Sequence, residues 1–260
     1  RNGGGSPEMV QFLCSYFLDN PRKHLNSFSY KDPEKLTQYW TYTYLPGKRL
    51  DKADVYLLTS ANTFSAAEEF AYNLKNMKRA TVIGEATGGG AHDNRFVILG
   101  DRFEMSLPFA RAINPVTKTN WEGIGVEPDV KVPQDKALGT AQAMASKRLA
   151  EAEKDPEFMS YYQWQYDAYT AALNPLLLTK ETLRSYVGTY GPRTITLEGD
   201  SLFYQREGRT KIRMIPIADY CFALEGNDNF RLRFLKEGER TVAVEGLNQA
   251  GVADKHLKNR

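Results

Sequence analysis

Two short apolar runs that flank an amphipathic segment constrain the fold of this chain most strongly. Asp54–Thr59 and Arg79–Gly84 are the two runs, and the first is typical of a strand that is buried on both faces. Between them, Phe64–Lys78 carries apolar side chains at helical spacing. A strand, a helix and a second strand in this order form a βαβ unit. The sequence therefore predicts an α/β region in which the two strands pair in parallel.

Other elements of the first half follow from similar patterns. Residues 7–19 have helical periodicity, with Ser6 as the N-cap and Pro7 at the first helical position. Residues 25–45 are rich in Tyr and Thr, which favours strands or extended chain. A hairpin is predicted across Phe96–Phe109.

The pattern changes along the second half. Residues 136–175 are predicted to be helical, and short alternating runs separated by Gly, Asp and Asn follow them. Regular short strands without helices indicate a small antiparallel sheet or barrel, so we place a boundary near 176–185. The predicted parts are an α/β portion at 1–135, a helical connection at 136–180 and a β-domain at 181–260.

Composition excludes several classes of function. The chain has 260 residues with 34 Lys+Arg against 32 Asp+Glu, and this net charge of +2 lacks the field that a general nucleic-acid binder uses. No apolar run approaches the ~18–20 residues of a membrane span. Cys14 and Cys221 cannot form a disulfide framework, and no Cys/His cluster has zinc spacing. We therefore expect no metal, no cofactor, no nucleic-acid partner and no transmembrane segment.

The segment Thr63–Glu68 lies between the first predicted strand and the helix. One interpretation is a capping box, with Ser65 as the N-cap and Glu68 reaching back to it. The other makes Ser65 a nucleophile, because a helix N-terminus offers N–H groups and a positive dipole end to a developing oxyanion. Ala66 and Ala67 are small enough to let a substrate approach. Both interpretations let Glu68 hold the turn.

Three turn-rich segments are further candidates. Gly3–Gly5 is either a flexible turn or a set of N–H groups aimed at an anion. Gly84–His92 is either a surface turn or a loop that lines a cleft, with His92 at its end. Glu122 follows Trp121 in a turn tightened by glycines, where it is a turn carboxylate or orients a partner.

Four segments in this order resemble those of a known group of serine peptidases. They are RNGGG at 1–5, TSANTFSAAEEF at 59–70, RATVIGEATGGGAH at 79–92 and NWEGIGVEPD at 120–129. The group includes the tail-specific (C-terminal processing) proteases, the tricorn protease core and the interphotoreceptor retinoid-binding protein modules. The resemblance covers roughly residues 1–135. It implies a crotonase/ClpP-like α/β fold with a serine nucleophile.

Residue by residue, the resemblance implies a catalytic constellation. Ser65 matches the nucleophile, and the N–H of Ala66 matches one donor of the oxyanion hole. The glycine turn supplies the other donor, from Gly3 or Gly4. Glu122 matches an acid that fixes the network around the base.

The general base is where the members of the group differ. Gly90 stands where tail-specific members have a lysine, which argues against a Ser–Lys dyad. Tricorn-like members take a histidine from an upstream segment. The match to that branch implies that the base lies before Arg1 and that the catalytic portion is incomplete at its N-terminus. His92 remains open as the base or as a residue that lines the cleft.

The resemblance implies a bacterial, periplasmic or secreted serine endopeptidase that cleaves polypeptides through an acyl-enzyme. The alternative is a non-catalytic ligand- or peptide-binding module on the same fold, as in the retinoid-binding relatives. Whether the protein forms a homo-oligomer is left open by the sequence. Residues 186–247 look like the small β-domain that sometimes follows bacterial hydrolase domains.

Overall fold

A computed structural model describes residues 2–19, 21–31 and 35–259 and divides the chain into two compact units, 1–141 and 142–260. The elements of the first unit are α1 Pro7–Phe17, β1 His24–Tyr30, β2 Leu36–Trp40, β3 Tyr56–Thr59, α2 Ala66–Asn76, β4 Thr81–Gly84, β5 His92–Leu99, β6 Phe103–Ile113 and β7 Val130–Lys131. Helix α3, Gln134–Ala152, runs across the boundary.

The elements of the second unit are mostly strands. They are α4 Pro156–Leu173, α5 Lys180–Tyr186, β8 Gly188–Tyr190, β9 Arg193–Glu198, β10 Ser201–Arg206, β11 Ile212–Ala218, β12 Cys221–Leu224, β13 Asn227–Glu237, β14 Arg240–Asn248 and β15 Gly251–Leu257. In the described part of the chain, none of the helices combines the length and the apolar character that crossing a membrane requires.

The predicted βαβ unit is confirmed. Strands β3 and β4 pair in parallel, and α2 connects them. Strand β7 adds to β4, also in parallel, so the sheet has the order β3-β4-β7. Gly84 lets β3 and β4 approach, because a Cβ at this position would lie 2.0 Å from the Thr59 carbonyl oxygen.

One expectation about β3 is wrong. The strand was expected to be buried on both faces, but Leu58 is 44% exposed. Leu57, whose side chain points the other way, packs against residues of α2 such as Ala71 and Leu74. Helix α2 therefore buries one face of β3 and leaves the other open.

Helix α1 begins as predicted. The Ser6 hydroxyl accepts a hydrogen bond from the Met9 N–H at 3.3 Å, and Pro7 occupies the first helical position. The apolar face of α1, which includes Val10 and Cys14, packs with Leu74 of α2. This packing holds α2, the helix that follows Ser65, in place.

A second sheet of the first unit is antiparallel, with the order β2-β1-β6-β5. Strands β5 and β6 form the predicted hairpin, which extends further than Phe96–Phe109 at both ends. Its base packs around Trp121, whose side chain is buried.

The second unit contains an eight-stranded antiparallel sheet in which β8 to β15 follow one another in chain order. Its core is built from aromatic and aliphatic side chains, among them Tyr186, Tyr190, Phe222 and Phe234. Helix α5 overlaps the segment near 176–185 where the sequence predicts a boundary. Its buried Leu183 and Tyr186 anchor it to this core. The chain thus combines a mixed α/β portion, helices and an antiparallel β-rich unit.

Candidate active site

Ser65 has an unusual backbone conformation at the start of α2. Its φ is 55° and its ψ is −126°. It is one of three non-glycine residues with positive φ in the described part of the chain. Such a conformation costs on the order of 1–3 kcal/mol and is concentrated at functional sites, including the nucleophile turns of hydrolases.

The predicted capping box is present, and Glu68 is its N3 residue. The Ser65 N–H donates to Glu68 Oε2 at 2.8 Å. The Glu68 N–H donates to the Ser65 main-chain carbonyl at 2.8 Å and faces the Ser65 side chain. The turn before α2 is therefore closed by reciprocal contacts between Ser65 and Glu68.

Glu68 connects the Ser65 turn to the glycine-rich loop. Its carboxylate is fully buried and accepts hydrogen bonds from four donors. Oε2 accepts from Ser65 N–H and, at 2.9 Å, from Gly90 N–H. Oε1 accepts from the Thr87 hydroxyl and, at 2.7 Å, from Gly89 N–H. One carboxylate thus holds both sides of the site in register.

The ring of Phe64 fills the space beside the glycine loop. A Cβ at Gly90 would lie 2.2 Å from Phe64 Cζ, and one at Gly88 would lie 2.7 Å from Phe64 Cδ2. The aromatic side chain thus occupies the position into which a side chain at residue 90 would project. A larger residue at position 90 would therefore displace this ring.

The glycine turn at the beginning of the chain lies against Ser65. A Cβ at Gly4 would be 2.8 Å from Ser65 Cβ and 3.2 Å from Ser65 Oγ. The Phe64 N–H donates to the Asn2 carbonyl at 3.1 Å, which attaches this turn to the start of α2. The Gly4 N–H donates to Asn2 Oδ1 at 3.1 Å. Among the described residues, the Ala66 N–H has no hydrogen-bond acceptor.

Glu122 and His92 lie side by side. Glu122 Oε2 accepts from the main-chain N–H groups of Ala91 at 2.7 Å and of His92 at 3.1 Å. The same oxygen is 3.8 Å from His92 Nδ1. Within residues 2–19, 21–31 and 35–259, no hydrogen bond joins Ser65 Oγ to either side chain. The structure thus brings Glu122 and His92 together at the end of the loop that Glu68 holds.

Trp121 contacts the glycine-rich loop that contains Gly89 and Gly90. Its indole N–H donates to the Gly90 carbonyl at 3.0 Å, and its ring is buried. The Gly123 N–H donates to the Gly89 carbonyl at 2.9 Å. Segment 120–126 therefore fixes the positions of Gly90 and Glu122 relative to each other.

An apolar pocket of about 280 Å³ opens beside the neighbours of Ser65 in the chain and in the glycine turn. Gly4, Gly5, Ala66 and Ala67 form its side next to Ser65. The rest of its wall is mainly aliphatic and aromatic and includes Met9, Val10, Leu13, Leu57, Leu58 and Phe70. A mostly apolar lining of this kind is typical of ligand-binding pockets.

Glu69, next to Glu68, has a different environment. Only 2% of it is exposed, and burial raises the pKa of its carboxyl to about 7. The amides of Asn26 and Asn73 face this carboxyl, and neither Nδ2 atom has another hydrogen-bond partner. The carboxyl is therefore largely protonated below neutral pH.

This environment predicts a pH-dependent stability. The folded chain keeps the Glu69 proton up to pH about 7, whereas the unfolded chain releases it near 4.5. The stabilisation is complete below pH 4.5 and is lost as the pH rises through 7. The free energy of unfolding of Glu69→Gln, relative to that of the native chain, should therefore rise by roughly 2–3 kcal/mol from pH 5 to pH 8. Denaturant unfolding of both forms at the two pH values measures this. The same difference between the two forms at pH 5 and at pH 8 would contradict it.

One family model matches the first half of the chain, and several solved structures are similar to part of it. The family model that matches residues 1–132 is described as peptidase family S41. The photosystem II D1 C-terminal processing protease is 26% identical over 52% of this chain and 33% of its own, with a TM-score of 0.42. A Bacteroides fragilis NCTC 9343 protein described as an S41 protease is 26% identical over 54% and 37%, with a TM-score of 0.44. This chain thus spans about a third of the length of these solved chains.

Proposed function

Because the chain belongs to peptidase family S41, we propose that it carries the catalytic portion of a serine endopeptidase with Ser65 as the nucleophile. The conformation of Ser65 supports this proposal best. Its φ of 55° is a strained conformation for a non-glycine residue, and its Oγ lies beside Gly4 on the turn between β3 and α2. A serine that only capped α2 would need neither feature.

In the proposed reaction, Ser65 Oγ attacks a peptide carbonyl as a base removes the hydroxyl proton. The tetrahedral intermediate collapses, the C–N bond breaks and the amine leaves with a proton. An acyl-enzyme remains, and water hydrolyses its ester to release the acid and restore Ser65.

The oxyanion of the intermediate needs two donors. The Ala66 N–H is at the first position of α2, has no protein acceptor among the described residues, and lies at the positive end of the helix dipole. Gly3 or Gly4 supplies the second donor. The Gly4 N–H now bonds to Asn2 Oδ1 in an exposed contact, and the substrate oxygen would replace it.

We further propose that Glu122 orients the base and that His92 lines the cleft. The tricorn-like pattern takes its imidazole base from an upstream segment. In this structure Glu122 is held by main-chain N–H groups, which leaves one side of its carboxylate for a base. A loop flanked by glycines is also a poor rigid support for a general base.

The apolar pocket next to Ala66 and Gly5 suggests the substrate. We propose that it accepts an apolar side chain next to the cleaved bond of an extended polypeptide. From the family resemblance, we also propose that the protein acts in the periplasm or outside a bacterial cell.

A fluorophosphonate probe tests the proposal, because it reacts with activated serines. With the whole protein, we expect a covalent adduct that mass spectrometry locates on Ser65. A folded protein that gains no adduct would instead favour the non-catalytic binding module.

Replacing His92 should distinguish its two roles. We expect His92→Ala in the whole protein to keep kcat/KM within about tenfold, because the bonds to Glu122 Oε2 come from main-chain N–H groups that this change preserves. Loss of a general base costs several powers of ten. Peptidase assays of the native protein and of His92→Ala measure the change in kcat/KM. A fall of several powers of ten would make His92 the base.

A further inference from the structure

A second pocket, of about 530 Å³, lies within the second unit between α4 and the ends of β13 and β14. Its volume is in the range of roughly 300–1,000 Å³ that is usual for small-molecule sites. Helix α4 contributes Phe158, Tyr161 and Tyr162 to one wall, together with Glu157. The opposite wall consists of Asn229, Asn248, Gln249 and Ala250. One wall is therefore aromatic and the other is lined with amides.

Two hydrogen bonds fix the walls to each other. The Ser160 hydroxyl donates to the Gln249 carbonyl at 3.0 Å, and the Trp164 indole N–H donates to the Asp228 carbonyl at 2.7 Å. The Arg231 guanidinium packs over the Trp164 ring at 3.7 Å from its centroid. The pocket is thus formed before any ligand arrives.

The amide wall has hydrogen-bonding capacity to spare. Asn248 Oδ1 accepts from the Ala250 N–H at 2.9 Å, and Asn229 Oδ1 accepts from Gln249 Nε2 at 3.4 Å. These bonds orient the two asparagine amides. Their Nδ2 groups and Gln249 Oε1 have no protein partner among the described residues, so a ligand can use them.

We propose that this pocket binds an uncharged saccharide. A sugar ring has an apolar C–H face that packs on aromatic side chains and a hydroxyl edge that pairs with amides, which matches the two walls. Among the described residues that line the pocket, Glu157 is the one charged side chain, and its negative charge would repel a polyanion. An apolar peptide would bury the amide wall without hydrogen-bond partners, which is costly.

The test uses the 260-residue chain with triacetylchitotriose, cellotriose and maltotriose, which are all uncharged, as probes in isothermal titration. We expect saturable binding of at least one probe. Tyr161→Ala and Phe158→Ala should each weaken it at least tenfold, and both side chains are 40% or more exposed, so the fold should survive. Tyr220→Ala removes an exposed tyrosine elsewhere in the same unit and should change nothing.

Failure of all three probes to bind the folded chain would overturn the proposal. Binding that persists unchanged in Tyr161→Ala and Phe158→Ala would also overturn it, as would binding of an apolar peptide in place of the sugars. Ser65→Ala should leave saccharide binding intact, which separates this result from the proposed peptidase activity.

Discussion

Replacing Ser65 with alanine should abolish peptide hydrolysis and leave the fold intact. Loss of an N-cap costs only about 0.5–2 kcal/mol, which is small against the stability of a folded domain. Loss of a catalytic serine, in contrast, removes a factor of about 10⁶ in kcat. Assays of the whole protein on a peptide substrate, with thermal unfolding in parallel, measure both effects.

Thr179→Ala is the matched control for this substitution. Thr179 caps α5 in the second unit, and its hydroxyl accepts from the Thr182 N–H at 3.2 Å. This variant should lose some stability and no activity. Near-native activity in Ser65→Ala would instead leave Ser65 as a structural residue at the start of α2.

The local features of the site could be predicted from the sequence. Apolar runs and helical spacing place Ser65 between a strand and a helix, because these signals involve residues close in the chain. Ser6 as the cap of α1 follows from the same local chemistry. The family resemblance then assigned roles to Ser65, Ala66 and Glu122, and these roles remain predictions.

Features that depend on distant contacts could not be predicted. The sequence links Glu68 to the Ser65 turn, but its bonds to Gly89 and Gly90 join residues 21 and 22 positions apart. The pairing of Phe64 with Gly90 is similar, since neither residue alone signals that a ring fills the space beside a glycine. The exposure of Leu58 depends on which face of β3 the helix covers, and strand periodicity does not give this.

Neighbouring carboxylates on α2 give the second large expected effect. Glu68 accepts four hydrogen bonds, whereas Glu69 is buried with a raised pKa and faces the amides of Asn26 and Asn73. Glutamine keeps the shape of either side chain and removes the charge. At pH 8 we therefore expect Glu68→Gln to destabilise the protein and Glu69→Gln to stabilise it.

The loss of stability in Glu68→Gln follows from the arrangement of the four donors around the carboxylate. Oε1 faces the Thr87 hydroxyl and the Gly89 N–H, and Oε2 faces the Ser65 and Gly90 N–H groups. Whichever way the amide turns, its NH₂ group meets at least one main-chain N–H. Each buried N–H without an acceptor costs about 1–3 kcal/mol.

Activity should fall together with stability in Glu68→Gln, because the same carboxylate aligns Ser65 with the glycine loop. Denaturant unfolding at pH 8 and fluorophosphonate labelling of the folded fraction measure the two effects separately. Glu69→Gln is the control at the adjacent position, and it should label at the native rate. A stability of Glu68→Gln equal to or above that of the native protein would mean that Glu68 does not hold the turn and the loop through its charge, and destabilisation by Glu69→Gln at pH 8 would contradict the raised pKa of Glu69.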